Sequence, residues 1–399
     1  MNLDLEFVRS HFPALESGFV FLDNAGGSQT LRNVPELIED YLLNCNVQHG
    51  ATYAVSEEAA THLKHAQAAM AVFMNSSRVE EIVFGSSATM LTRLLAEAMA
   101  SRFEEGDEII VCRHDHEANI GPWVAMEKHG VEVRWWKHNP DTWRLEPDDL
   151  RGLLTERTRF IAFNHVSNIL GTINPVTELT DIAHDAGVRV CVDGVAWASH
   201  RRMDMQALRP DFYIWSTYKV FGPHCAIMYG DYDALLDLDN VNHYVIPRDS
   251  IPNKLQPGNP NYELAWGCTA IRDYIESLAR RHDVIEPFDL IAAYEQQLAD
   301  RLLTFLAGKP GVKVFGAPSS GSAERVSTIS FVVVGRDSKA IVEAVDPHGI
   351  GIRYGHFYSV RLIEDLGLAP QNGVVRVSMI HYNTEAEVDR LIQVFDTIL

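Results

Sequence analysis

Lys219 stands in "IWSTYKVFGPH", between the apolar residues Phe212 to Trp215 and Phe221, just before a Gly222-Pro223 turn and with no acid beside it. A lysine kept for solubility has polar neighbours. One set in apolar company is desolvated, and a pKa lowered from about 10.4 makes the amine a nucleophile towards an aldehyde. Asp193 ends the run "VRVCVD", in which Val188, Val190 and Val192 share one face by period two. A carboxylate placed there is costly unless a cation meets it. In "FGSSATMLTRLLAEAMA", Ser86, Ser87 and Thr89 stand just before a helical pattern. Hydroxyls and free N–H groups at a helix start make a ready phosphate site.

Each of these has a plainer counterpart: a lysine snorkelling from the sheet, a turn or N-cap aspartate, an ordinary capped helix. Together they ask for one ligand that carries an aldehyde, a phosphate and a protonated ring nitrogen. Pyridoxal phosphate has all three, and His116 in "HDHEAN" supplies a flat ring to stack on it.

The elements that must hold these residues recur along the chain. Strand-length apolar runs lie at 81–84, 108–112, 131–136, 159–163, 188–192, 212–215 and 226–229, with helix-like segments between them. Such alternation predicts an α/β fold with a seven-stranded, mostly parallel buried sheet. Five of the runs lead into polar residues, and in an open α/β sheet those ends converge on one crevice. "PRDSIPNKLQPGNPNY" (247–262) reads as a long irregular connection. A helical stretch ended by Gly308 and Pro310 follows it, then a smaller α+β region. The expected organisation is an N-terminal arm (1–20), a large α/β domain (21–255), a connection with a linking helix (256–290) and a small α+β C-terminal domain (291–399).

Composition narrows the partners. A net charge of -20 argues against nucleic acid and anionic membrane surfaces. The longest apolar runs, such as "ISFVVV" at 329–334, are strand-sized, and Asp4, Glu6 and Arg9 interrupt the start where a secretory signal needs an apolar core. A cytoplasmic location is the expectation. The five cysteines, Cys45, Cys112, Cys191, Cys225 and Cys268, are odd in number and form no CxxC, which fits free thiols. A different class of reading takes His114 and His116 as an H-x-H metal pair with Asp115 or Asp193, a metal-dependent hydrolase. It leaves Lys219 without a role, and no metal site is expected.

The motifs "FLDNAGGSQ", "DHEANIGPW", "NHVSNILGTINPV", "CVDGVAW", "STYKVFGPH", "PGNPN" and "VRVSMIHYNT" make the chain resemble the class V aminotransferases of fold type I, on the cysteine desulfurase-like branch. The resemblance runs over nearly the whole length. It implies Lys219 as the Schiff-base residue, Asp193 on the pyridine nitrogen, and His116 over the ring. It places Asn168 near the ring hydroxyl or the substrate carboxylate, and Ala88, Thr89 and Ser216 at the phosphate, which Tyr218 can also reach by its own hydroxyl. It also implies a homodimer with shared active sites, in which Asn259 reaches the partner's phosphate. Arg376 is implied as the substrate carboxylate clamp. Its place in "GVVRVSM", opposite Val375, Val377 and Met379, independently points its guanidinium into a cleft.

Where the desulfurases carry a mobile thiolate, this chain has Tyr358, and no cysteine follows Cys268. Ala196 replaces a glutamine, Tyr218 a histidine, and His49 falls where relatives often have an arginine at the substrate mouth. The resemblance therefore implies a small amino-acid substrate joined through an external aldimine, with β-elimination by a C–S lyase as the leading activity. Transamination and epimerisation are the alternatives.

Overall fold

The seven apolar runs all fold as strands of one sheet. The computed structural model describes residues 3–399, and its strands in chain order begin β1 (Val20–Phe21), β2 (Ile82–Gly85), β3 (Glu108–Cys112) and β4 (Glu132–Trp136). They continue as β5 (Thr158–Asn164), β6 (Arg189–Asp193), β7 (Phe212–Ser216) and β8 (Ala226–Gly230). The sheet runs β2-β8-β7-β6-β5-β3-β4. β8 is antiparallel to both of its neighbours, and the pairs among β3 to β7 are parallel. β2 therefore points the same way as β7, and six C-terminal ends face one side.

Burial on both faces explains why these strands read as unbroken apolar runs. Ile110, Ile161, Val190, Val192, Tyr213 and Trp215 pack into the core on one face. Ile109, Val111, Phe160, Cys191, Phe212 and Ile214 alternate with them into the core on the other. Cys112 and Cys191 are fully buried, and all five cysteines are free thiols.

A second sheet closes the chain. It is built from β9 (Val312–Phe315), β10 (Thr328–Val333), β12 (Arg353–Gly355) and β13 (Val374–Ser378), in the antiparallel order β12-β13-β10-β9. The short β11 (Ile350–Gly351) instead pairs with β1, and Asp23 bridges to Ser378, so the N-terminal segment is stitched to this sheet.

The stretch expected to be helical before Gly308 is three helices, Tyr262–Gly267, Thr269–His282 and Pro287–Ala307. The middle one ends at Asp283 in a left-handed conformation, and Pro287 opens the third, where its missing N–H costs nothing. The 247–262 connection is irregular apart from one turn of 3-10 helix at Asn253–Leu255. Among the described residues no helix is long and apolar enough to cross a membrane.

Candidate active site

Five of the aligned strand ends deliver polar side chains to one cavity of about 540 Å³, counting its opening to solvent. β2 leads to Ser87, Ala88 and Thr89; β3 to Asp115 and His116; β5 to Asn168; β6 to Asp193; β7 to Ser216, Tyr218 and Lys219. Nine residues picked out in the sequence for cofactor binding thus meet here: Ser87, Ala88, Thr89, His116, Asn168, Asp193, Ser216, Tyr218 and Lys219.

Local structure explains how each is aimed. Ser87 caps the helix Ala88–Met99, its Oγ accepting from Met90 N at 3.2 Å. The N–H groups of Ala88 and Thr89 head that helix, where they have no intrahelical acceptor. Asp193 is the last residue of β6, and its Oδ1 accepts from Val195 N at 2.8 Å. Gly194 follows because a Cβ there would lie 2.0 Å from the Tyr213 ring. Lys219 ends a single 3-10 turn, Thr217–Lys219, directly after β7.

Electrostatics separates the buried Lys254 from the half-buried Lys219. Lys254 donates its Nζ to the carbonyls of Leu236 and Leu238 at 3.1 and 2.7 Å, an anchoring role. Lys219 is influenced only by burial and by charges at a distance. Burial first, then Arg376, brings its amine down to about 8, against the pull of Asp193. Burial raises Asp193, and Lys219 holds it down in return. His116 is kept neutral: burial, then Lys219 and Arg376, take it to about 4. Its Nδ1 accepts from Ala118 N at 3.0 Å, which assigns the proton to Nε2.

This donor set fits pyridoxal phosphate. A desolvated amine suits an aldehyde, a half-buried carboxylate lacking a hydrogen-bonded cation suits a pyridinium, and a neutral imidazole suits a ring face. The free N–H groups of Ala88 and Thr89, with the hydroxyls of Ser216 and Tyr218, suit a phosphate. The profile of the class-V aminotransferases matches residues 20–391. The chain belongs to that family.

Its relatives include cysteine desulfurases, a cysteine desulfurase-like protein and an aminotransferase-like protein. It is 40% identical over 409 aligned residues to the aminotransferase-like protein FGM3 of Gibberella zeae, covering 100% of this chain and 99% of that one. It is 34% identical to the cysteine desulfurase-like protein ustD of Aspergillus flavus, with 100% and 91% covered. A cysteine desulfurase of Serratia proteamaculans is 31% identical, with 98% and 97% covered. The solved cysteine desulfurase CsdA of Escherichia coli superimposes with a TM-score of 0.86 at 27% identity, covering 100% of this chain and 98% of that one. This class-V aminotransferase is a pyridoxal phosphate-dependent enzyme with the type I fold.

Other expected site residues lie elsewhere. Arg376 is buried, with Nη1 donating to Asn168 O at 3.1 Å and Nη2 to Asp23 Oδ1 at 3.0 Å, while its Nε has no partner. Tyr358 is 66% exposed and does not line the cavity, its ring centroid lying 5.2 Å from that of His116. Asn259 and His49 do not line the cavity of this chain. Asn259 sits in an exposed loop with φ +70°, and His49 packs edge-on against Tyr262. The H-x-H pair is not on a strand and does not converge: His114 turns to Asp365 at 3.2 Å while His116 enters the cavity. Among the described residues no group of three or more His, Cys, Asp or Glu is arranged to hold a metal ion.

Two carboxylates escaped the sequence reading. Asp23, inside "FLDNAGGSQ", also holds Arg353 Nε at 2.7 Å. Arg353 and Arg376 are direct cross-strand partners, a repulsive pairing that Asp23 offsets. Asp115, considered only as a metal ligand, is fully buried and accepts from His116 N and Asn119 Nδ2 at 2.6 and 2.9 Å. Both donors are neutral, so burial, then Asp193, push its carboxyl from 3.8 up to about 7.

A folded-state pKa above the unfolded one means that the folded protein holds the extra proton, so this group costs stability as pH rises from about 4 to 7. Asp115→Asn apoprotein is expected to melt above wild type at pH 8, by on the order of 2 kcal/mol. The gap should close below pH 4. Thermal melts across that range check it; a constant gap would assign Asp115 a purely hydrogen-bonding role.

Proposed function

We propose that this enzyme is a carbon–sulfur lyase that removes the β-substituent of a small cysteine-like amino acid. One observation carries the reading: the site is desulfurase-like, yet none of its five cysteines lines the cavity. Burial raises the thiols of Cys45, Cys112, Cys191 and Cys268. A desulfurase reaction needs a thiolate to accept sulfur, and Tyr358 has only a phenol to offer. Elimination needs no acceptor.

Bound pyridoxal phosphate supplies an electron sink that acidifies the substrate's Cα–H bond. The chain's own residues do the rest. Arg376 and Asn168 Nδ2 hold the α-carboxylate and so fix which Cα bond faces Lys219. Lys219 Nζ, once freed, takes the α-proton; an amine brought down to about 8 is unprotonated often enough near neutral pH to do so. His116, neutral, packs over the ring without competing for that proton. The Cβ–S bond then breaks, the thiolate leaves with the electron pair, and 2-aminoacrylate hydrolyses in water to pyruvate and ammonia.

Incubation with cystine and several S-substituted cysteines is expected to release pyruvate and ammonia in equal amounts. The activity should travel with a homodimeric species on a sizing column, since exposed Tyr53, Tyr244 and Val245 offer apolar surface to a second copy. Silence across the panel would overturn the lyase reading. The aminotransferase-like relative at 40% identity favours one alternative, transamination, which would appear as pyridoxamine phosphate instead of pyruvate.

A further inference from the structure

The segment 356–365 packs against Asn168 and His116, two residues of the cavity wall, and its attachments engage the groups that a substrate would need. Asn168 Nδ2 donates to Phe357 O at 2.9 Å, and Asn168 Oδ1 accepts from Ser359 Oγ at 2.7 Å. Both ends of the amide are thereby engaged by this segment, one N–H and one oxygen lone pair each. The Phe357 ring lies 3.7 Å from the Arg376 guanidinium carbon and covers one of its faces. Glu117 N, next to His116, donates to Tyr358 O at 2.9 Å. A substrate carboxylate is the same kind of acceptor as the Phe357 carbonyl, so it competes for the N–H that Phe357 holds.

The tip of this segment is strained, and its base is clamped. Phe357 and Tyr358 are consecutive non-glycine residues at φ +49° and +60°, a conformation that costs of order 1 kcal/mol per residue. Such a tip stays put only when something else holds it. At the far end Asp365 takes Arg113 through two bonds, Nε at 3.0 Å and Nη2 at 3.1 Å. Lys137 Nζ adds a contact at 2.8 Å and His114 Nε2 one at 3.2 Å. His114 Nδ1 accepts from His138 N, which leaves the Nε2 proton for Asp365. Arg113 first, with Lys137 and His114, holds the Asp365 carboxyl well below its usual range. Arg361 Nε lies 3.2 Å from Glu117 Oε1, an ion pair without hydrogen-bond alignment. A second hollow, lined by Tyr354, Phe357, Val360 and Ile363, borders the segment and gives it room to shift.

We infer that residues 356–365 form a strap whose Phe357 carbonyl stands in for the substrate carboxylate on Asn168, and that Asp365 is the latch keeping the strap shut. The inference rests on the Proposed function only in taking Asn168 as a substrate-contacting residue. The ligand class it concerns is any α-amino acid, whatever its side chain. Admission requires the tip to release Asn168 and uncover Arg376, while Asp365 sets how often that happens.

The test uses cofactor-loaded protein: wild type, Asp365→Asn and Arg113→Gln. Amide exchange at Glu117 and at 357–359, with no amino acid present, is expected to quicken about ten-fold in both variants. The absorbance change on mixing with excess L-alanine should quicken in parallel. L-alanine has the amine and carboxylate but no leaving group, so neither measurement depends on elimination. Unchanged exchange in both variants would remove Asp365 as a latch. Faster exchange without faster arrival of L-alanine would remove the strap as a gate.

Discussion

Lys219→Ala is expected to lose turnover by about 10⁴-fold or more while the protein remains folded. The loss combines two roles, capture of the cofactor aldehyde and removal of the substrate α-proton, and no other amine lines the cavity. Lys219→Arg should fare no better, because a guanidinium keeps its proton at any physiological pH. Borohydride reduction followed by peptide mapping reads the first role directly. Wild type should carry the coenzyme on the peptide containing Lys219, and the alanine variant nowhere. A label elsewhere, or activity within ten-fold of wild type, would refute the assignment.

Arg376→Ala is expected to lower kcat/KM by about 10²- to 10³-fold, the usual scale for losing a charge-assisted, two-toothed carboxylate contact in a dry site. A second effect has the opposite electrostatic sign. The Arg376 charge helps depress both Lys219 and His116, so its removal lets both rise. The pH midpoint for cofactor capture by apoprotein should therefore move up in Arg376→Ala and stay near wild type in Arg376→Lys. A merely structural arginine would leave that midpoint unmoved.

The fold was legible because its main sheet is buried on both faces. Ile109 to Val111 and Val190 to Val192 read as strands because every position is apolar. Most of the site was legible for a related reason. In a parallel sheet the first polar residue after an apolar run, such as Asp193 or Ser216, marks the crevice without any knowledge of the partner strands. What sequence alone could not supply were contacts between distant stretches. Asp23 meets Arg376 across 353 residues, and Arg113 meets Asp365 across 252. Neither pairing leaves a local pattern. Asp115 was misread because a buried acid and a metal-binding acid look alike until its donors are seen. His49 and Asn259 were assigned by likeness to relatives, and within one chain neither lines the cavity.

The residues proposed to hold the cofactor come from the ends of five strands in one sheet, whereas the proposed strap belongs to a different part of the chain. Bond-making machinery and the admission of guests are thus written on separate stretches of polypeptide. Alterations between Arg353 and Asp365 can retune which amino acids enter without disturbing Lys219, Asp193 or His116. Such a division lets one catalytic chassis acquire new substrates by remodelling about a dozen residues at its doorway.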